Sequence, residues 1–240
     1  IEKMRLNPII NSLLTTDAYK LSMGQTIFHQ FQDYTTEWDF KCRNKDVKFT
    51  PEMVEEIRQQ IQHFCTLTFK EDELEYLSTI KYIKRDYINF LRYWRPFYSD
   101  FDISTDGESG IKIMAKGTWL NTSMYEIPVL AIVNEVYFRM KYDYNQLIVE
   151  FKKRFDDKLQ GLLNGTYELH SFSEFGLRRR LSAEAEEYAV SKFVENRQAL
   201  AEKGSFFLGS SNVELAKKFS IVPVGTLAHE FIESVGQGNL

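Results

Sequence analysis

From about residue 167 the sequence repeats one pattern three times: an apolar run, a turn, then a helix-like stretch. "YELHSFSEF" reads as a strand, and Ser182 caps a helix over residues 183–202, with Glu184 and Glu186 in its favourable first turn. "SFFLG" is a strand and "SNVELAKKF" a short helix; "SIVPVG" is a strand and "TLAHEFIESV" a helix. Strands joined through helices pair in parallel, because the crossover returns the chain to the starting edge of the sheet. These units therefore predict an α/β fold, either a (β/α) barrel or a doubly wound sheet.

In such sheets ligands collect at the C-terminal ends of the strands. The first strand runs into Glu174-Phe175-Gly176-Leu177-Arg178-Arg179 and the second into Gly209-Ser210-Ser211-Asn212. The third runs into Gly225-Thr226, with His229 one helical turn on. Parallel neighbours carry all three motifs on one rim. Glycine lets backbone N–H groups approach a ligand, arginine forks onto carboxylate or phosphate, and helix N-termini gather anions. The set suits a small anionic substrate plus phosphates. Phe175, Gly176, Arg178, Arg179, Gly225 and Thr226 are candidate substrate contacts; Gly209, Ser210 and Ser211 are candidate phosphate contacts. Singly, each has a plainer reading. An arginine run is commonly a solvated face, Gly-Ser-Ser-Asn a capped turn, and a first-turn histidine structural. Their occurrence on three consecutive units gives them joint weight.

Upstream, "TTDAYKLSMGQTIFHQF" opens with Thr16 or Asp17 as an N-cap, and Tyr19, Met23, Ile27 and Phe31 form one helical stripe. Tyr19 is most simply core on this pattern. Residues 35–43 alternate Trp38, Phe40 and Cys42 like a strand; residues 51–65, 71–79 and 84–93 read as helices, and 100–117 as a hairpin turning at Asp106-Gly107. At about residue 125 the texture changes to a long apolar helix opened by Pro128, and 144–163 continues helical. The expected division is an N-terminal α/β domain over 1–124 and a partial barrel over 125–240. "SVGQGNL" follows at once on a helix start, so the 240 residues are expected to be part of a longer protein.

Composition sets outer bounds. A net charge of −4 gives no general pull toward nucleic acid. No apolar run approaches a membrane span, and Asn7-Pro8 and Asn11-Ser12 interrupt any signal-peptide core. Two cysteines, Cys42 and Cys65, supply neither a disulfide framework nor metal spacing, which fits a cytoplasmic protein.

The motifs "TDAYKLSM", "YEIPVLAIVNEVYF", "EFGLRRR", "GSSNVELA" and "PVGTLAHEF" occur in the order found in nicotinate phosphoribosyltransferases. The resemblance spans residues 7–238 and resembles the N-terminal part of that family's longer chain. It departs at Gly209-Ser210-Ser211-Asn212, where the family has Gly-Thr-Ser-Asn; the hydroxyl is kept. The resemblance implies an irregular α/β barrel of the type II phosphoribosyltransferase kind, packed on an N-terminal α/β domain in a homodimer with shared active sites. It implies a reaction of nicotinate with phosphoribosyl pyrophosphate to give nicotinate mononucleotide and pyrophosphate, in NAD biosynthesis. Magnesium takes part, and ATP is a co-substrate hydrolysed through a phosphohistidine, which the motif match makes His229. Thr226 and Gly225 would lie near nicotinate and phosphate. Arg178 would face the nicotinate carboxylate or the phosphoribosyl group, shared in an unsettled way with Arg179. Tyr19 would stack on the pyridine ring in a site completed by a second subunit. The metal ligands are not identified.

The chemistry of the residues agrees. Neutral imidazole is a good nucleophile when an acceptor holds its other nitrogen. Glu230 points about 100° away around a helix, while Glu233 shares the face of His229; an acceptor from elsewhere serves equally. Rival readings are a nicotinamide-using enzyme, which Glu174 before Phe-Gly keeps open, a quinolinate-using enzyme, which calls for more basic residues, and a catalytically silent scaffold.

Overall fold

The computed structural model describes residues 5–226. The first half assembles helices around a small antiparallel sheet. Helix α1 (Ala18–Gln30) leads into β1 (Thr35–Asp39). Helix α2 (Pro51–Phe64) begins where its sequence says it should, with Pro51 in the first turn and the Thr50 hydroxyl accepting from Met53 N. Helices α3 (Glu71–Ser78) and α4 (Arg85–Leu91) follow, then β2 (Phe101–Ser104) and β3 (Lys112–Thr118). Strand β3 sits centrally and pairs antiparallel with both others, Trp38 opposite Ala115 and Ile103 opposite Ile113. A short turn of helix, α5 (Trp119–Thr122), leads into α6 (Glu126–Lys141).

The stripe expected on α1 is present. Tyr19, Met23 and Ile27 pack with Trp119 and Leu120, and Phe28 and Phe31 close the cluster. Helix α6 packs against α2 and the first sheet. Ile127, Val129, Ala131, Ile132, Val133 and Val136 lie in the same core as Ile57 and Ile61 of α2 and Ile113 of β3. The core therefore does not part at residues 124 and 125. An apolar helix follows the largest apolar surface open to it, and here α2 and the first sheet supply that surface.

Helix α7 (Tyr144–Leu163), capped by Asp143, crosses to the second sheet. That sheet comprises β4 (Ser171–Glu174), β5 (Phe206–Ser210) and β6 (Val222–Pro223), with α8 (Ala183–Glu195), α9 (Arg197–Glu202) and α10 (Val213–Phe219) between the strands. The order is β4-β5-β6 and both pairings are parallel, as the repeated units predict. Val190, Phe207, Leu215 and Ala216 bury one face of the sheet against helices. Phe206, Leu208 and Val222 stand exposed away from that cluster. The whole is a mixed α/β fold with a partial barrel.

Three boundaries differ from the sequence reading. Strand β4 starts at Ser171, because Tyr167 folds back and donates to Lys158 O at 2.6 Å, its ring filling the space a side chain at Gly161 would take. The helix over 183–202 breaks at Asn196, whose side chain donates to Lys192 O and so competes with the helical ladder. Strand β6 is short because Pro223 has no N–H to give the ladder. The helix expected from Thr226 onward lies outside the described residues.

Candidate functional site

The strand ends meet as expected, and a fourth element joins them. At the end of β4, the Glu174 carboxylate accepts from the Ser210 hydroxyl at 2.6 Å and from the backbone N–H of Gly176. At the end of β5, Ser211 N donates to Glu174 O at 2.9 Å. Val224 N, just past β6, donates to Ser210 O at 3.0 Å. The N-terminal end of α1 then docks onto this rim. Ser211 donates through Oγ to Asp17 Oδ1 at 2.6 Å, a contact 194 residues apart in sequence. Ala18 N donates to Ser211 O at 2.8 Å and Val213 N to Thr16 O at 3.1 Å. Asp17 is the N-cap of α1 by position, yet its side chain makes no cap bond and is turned to Ser211 instead.

Tyr19 lies in this junction. A Cβ placed on Gly225 would sit 3.3 Å from Tyr19 N and 3.6 Å from its Cα, so glycine permits the close approach. The ring is buried, and desolvation pushes the phenol up to about 12. Asp17, Ala18 and Tyr19 are stitched to Ser211 and Gly225 of their own chain.

The three arginines separate by environment. Arg178 is 43% exposed at its side chain, with Nη1 3.8 Å from Glu126 Oε1. Its carbonyl accepts from Asn134 Nδ2 at 2.7 Å, which ties the 3-10 turn Leu177–Arg179 to α6. Arg179 is exposed. Arg180 is 4% exposed and lies between Glu186, at 3.1 Å, and Glu135, at 3.7 Å. Phe175 is exposed just past β4, and Gly225 and Thr226 are exposed just past β6. Phe175, Gly176, Arg178, Gly225 and Thr226 thus stand at the strand ends as the sequence predicts.

The predicted phosphate contacts do other work. A Cβ on Gly209 would meet Val222 O at 2.0 Å, so this glycine exists for close pairing of β5 and β6. Ser210 and Ser211 have no exposed surface, and each hydroxyl donates to a carboxylate. A hydroxyl whose one proton is so engaged has none to offer a phosphate. These contacts join the three strand ends to one another and to the start of α1. His229 and Glu233 lie outside the described residues.

Sequence reasoning passed over the acidic partners. Asn212 donates to both oxygens of Glu186 at 3.2 Å while capping α10. Asp17 is held above the usual carboxylate range by burial, against the lowering effect of its bond from Ser211. Burial also raises Glu174. Glu186 is pushed up to about 8, by burial first and then by the Glu174 charge. A carboxyl raised above its ordinary 4.5 binds its proton more tightly folded than unfolded. Stability from this pair is therefore present at low pH and lost as pH climbs from the ordinary value toward about 8. Thermal melts stepped across that window are expected to show stability falling with pH, and Glu186→Gln to flatten the slope. A slope unchanged by Glu186→Gln would move the proton to another group.

Among the described residues, no three His, Cys, Asp or Glu side chains stand together as a metal site. Nor is any described helix long and apolar enough to cross a membrane.

Residues 14–134 match the family model described as nicotinate phosphoribosyltransferase N-terminal domain, and residues 170–239 match the model of the nicotinate phosphoribosyltransferase family. A nicotinate phosphoribosyltransferase of Ralstonia pickettii is 40% identical over 230 residues, covering 94% of this chain and 57% of the relative. One from Acinetobacter baylyi is 36% identical over 240 residues, with 96% and 57% covered. The chain thus spans a little over half the length of these curated relatives. A crystal structure of nicotinate phosphoribosyltransferase from Porphyromonas gingivalis superposes with a TM-score of 0.78 at 30% identity, covering 95% of this chain and 56% of that one. The corresponding structure from Vibrio cholerae gives 0.74 at 26% identity, covering 97% and 56%.

Proposed function

The chain belongs to the nicotinate phosphoribosyltransferase family, and from that premise we infer that the whole protein joins nicotinate to phosphoribosyl pyrophosphate. The products are nicotinate mononucleotide and pyrophosphate, a step of NAD biosynthesis. The observation that carries the reading is Arg178, half-exposed among the family motifs with its guanidinium open to a ligand. An arginine fork reads a carboxylate in two parallel bonds.

Arg178 meets the nicotinate carboxylate or the phosphoribosyl phosphate, and Phe175, Gly225 and Thr226 border the ring. Arg179, exposed, adds positive charge. Glycosyl transfer of this kind builds oxocarbenium character at the sugar, so positioning and neutralising the departing pyrophosphate are the protein's tasks. Magnesium fits that role on general grounds, since it is usually held by one or two carboxylates together with substrate phosphates. ATP phosphorylates His229 in this proposal, and the phosphohistidine couples hydrolysis to transfer. Glu174 had kept a nicotinamide-using reading open; its carboxylate is bound to Ser210 and Gly176, which favours the acid over the amide.

The test is product formation by the full-length protein with nicotinate, nicotinamide and quinolinate offered in parallel. Nicotinate alone is expected to turn over. His229→Asn is expected to remove acid-labile phosphorylation by ATP, and label persisting in that variant would place the phosphate elsewhere. Turnover of nicotinamide in preference to nicotinate would overturn the reading.

A further inference from the structure

Two motif residues have no part in the scheme above: Lys20 of "TDAYK" and Glu126 of "YEIP". The structure brings both to Arg178. The Lys20 side chain is 1% exposed, and its Nζ lies 2.6 Å from Glu126 Oε2. The other oxygen of the same carboxylate, Oε1, lies 3.8 Å from Arg178 Nη1. We propose that Glu126 is a positioning residue that aims Arg178 at its anionic substrate, with buried Lys20 holding Glu126 in place. The proposal rests on the reading of Arg178 as a substrate contact.

The two distances divide the labour. At 2.6 Å the Lys20–Glu126 contact is a short charge-assisted hydrogen bond, and burial of Lys20 shields it from screening. At 3.8 Å the Glu126–Arg178 contact is an attraction without a hydrogen bond, so the guanidinium donors remain available. Glu126 therefore orients the arginine without consuming it. Helix α6 supplies a second handle. Asn134 binds the backbone carbonyl of Arg178 at 2.7 Å. Glu126 and Asn134 are eight positions apart, about two turns of one helix. A single rigid element thus holds both the backbone and the side chain of Arg178, and its apolar face is locked by Ile127, Val129 and Ile132, none of which is exposed. A half-exposed arginine without such a guide spreads over many rotamers. Asp17 adds a second anion to the group, since both Arg178 and Lys20 act on its carboxyl. An arriving anion then meets an arginine that is oriented by neighbouring carboxyls while its donors stay available.

The experiment is a double-mutant cycle in the full-length protein, using Glu126→Gln, Arg178→Lys and the pair. Glu126→Gln alone is expected to lower kcat/KM by about 10–100-fold. In the Arg178→Lys background it is expected to add less than about 3-fold, because a residue acting through the arginine has little left to do. The substrate whose KM responds to Arg178→Lys is expected to be the one whose KM responds to Glu126→Gln. Independent, multiplying losses, a response in different substrates, or wild-type kinetics in Glu126→Gln would each overturn the proposal. Should Glu126→Gln fail to fold, Glu126→Asp keeps the charge beside Lys20 and withdraws it by one methylene. It is expected to lose activity toward the same substrate, and wild-type kinetics there overturns the proposal too. Equilibrium dialysis of labelled nicotinate and of phosphoribosyl pyrophosphate repeats the cycle without turnover. A wild-type protein that forms no product therefore refutes the proposed activity, while the positioning role is still decided by binding.

Discussion

Arg180→Met is expected to destabilise the protein by about 3–5 kcal/mol, the usual cost of removing one partner from a buried ion pair. The guanidinium is 4% exposed and stands between two carboxylates, Glu135 at 3% and Glu186 at 2%. It also donates to Ile9 O at 3.4 Å, so it joins α6, α8 and the N-terminal segment. Methionine fills much of the volume and answers none of the charge. Glu135 keeps Arg139 at 2.8 Å and caps the start of α8 by accepting from Ala183 N at 3.0 Å. Glu186 keeps Asn212 and a side-chain hydrogen bond with Glu174, and it answers the lost cation by holding a proton. The loss should therefore shrink as pH is lowered. Urea unfolding at two pH values measures it, with exposed Arg179→Met as a control expected to stay within about 0.5 kcal/mol of wild type. A loss under about 1 kcal/mol for Arg180→Met would show that water reaches the site and screens the carboxylates.

Arg178→Lys, two positions away, is expected to leave stability nearly unchanged and to cost activity. Lysine keeps the charge but offers a point where arginine offers a planar fork. For a hydrogen-bonded charge pair closed over by substrate, the expected loss in kcat/KM is about 2–4 kcal/mol, roughly 30- to 1,000-fold. Steady-state kinetics with each substrate varied in turn assigns the loss to nicotinate or to phosphoribosyl pyrophosphate. Unchanged kinetics would transfer the role to Arg179 or remove it from the run altogether. Taken with Arg180→Met, this variant separates a binding arginine from a structural one inside a single tripeptide.

The elements themselves were legible because local spacing encodes them. Tyr19, Met23 and Ile27 repeat at helical intervals, and the helix and its buried stripe are where that period puts them. Pro51 and Ser182 marked helix starts; the helices begin there, capped by Thr50 and by Ser182. The three strand–helix units required parallel pairing, and β4, β5 and β6 pair so. Nothing in Arg178-Arg179-Arg180, by contrast, says which guanidinium is buried. That depends on Glu135 and Glu186, brought in from two different helices. Gly209-Ser210-Ser211 looked like a phosphate loop, because glycine and hydroxyls are what such loops use. The sequence did not show that Gly209 packs on Val222 O or that the two hydroxyls reach Glu174 and Asp17, the last of these 194 residues distant. Secondary structure follows from interactions three or four residues apart, which a single sequence displays. The partner of a buried charge or hydroxyl is settled only when distant segments pack, since desolvation then obliges each polar group to find whatever acceptor or donor has been carried beside it.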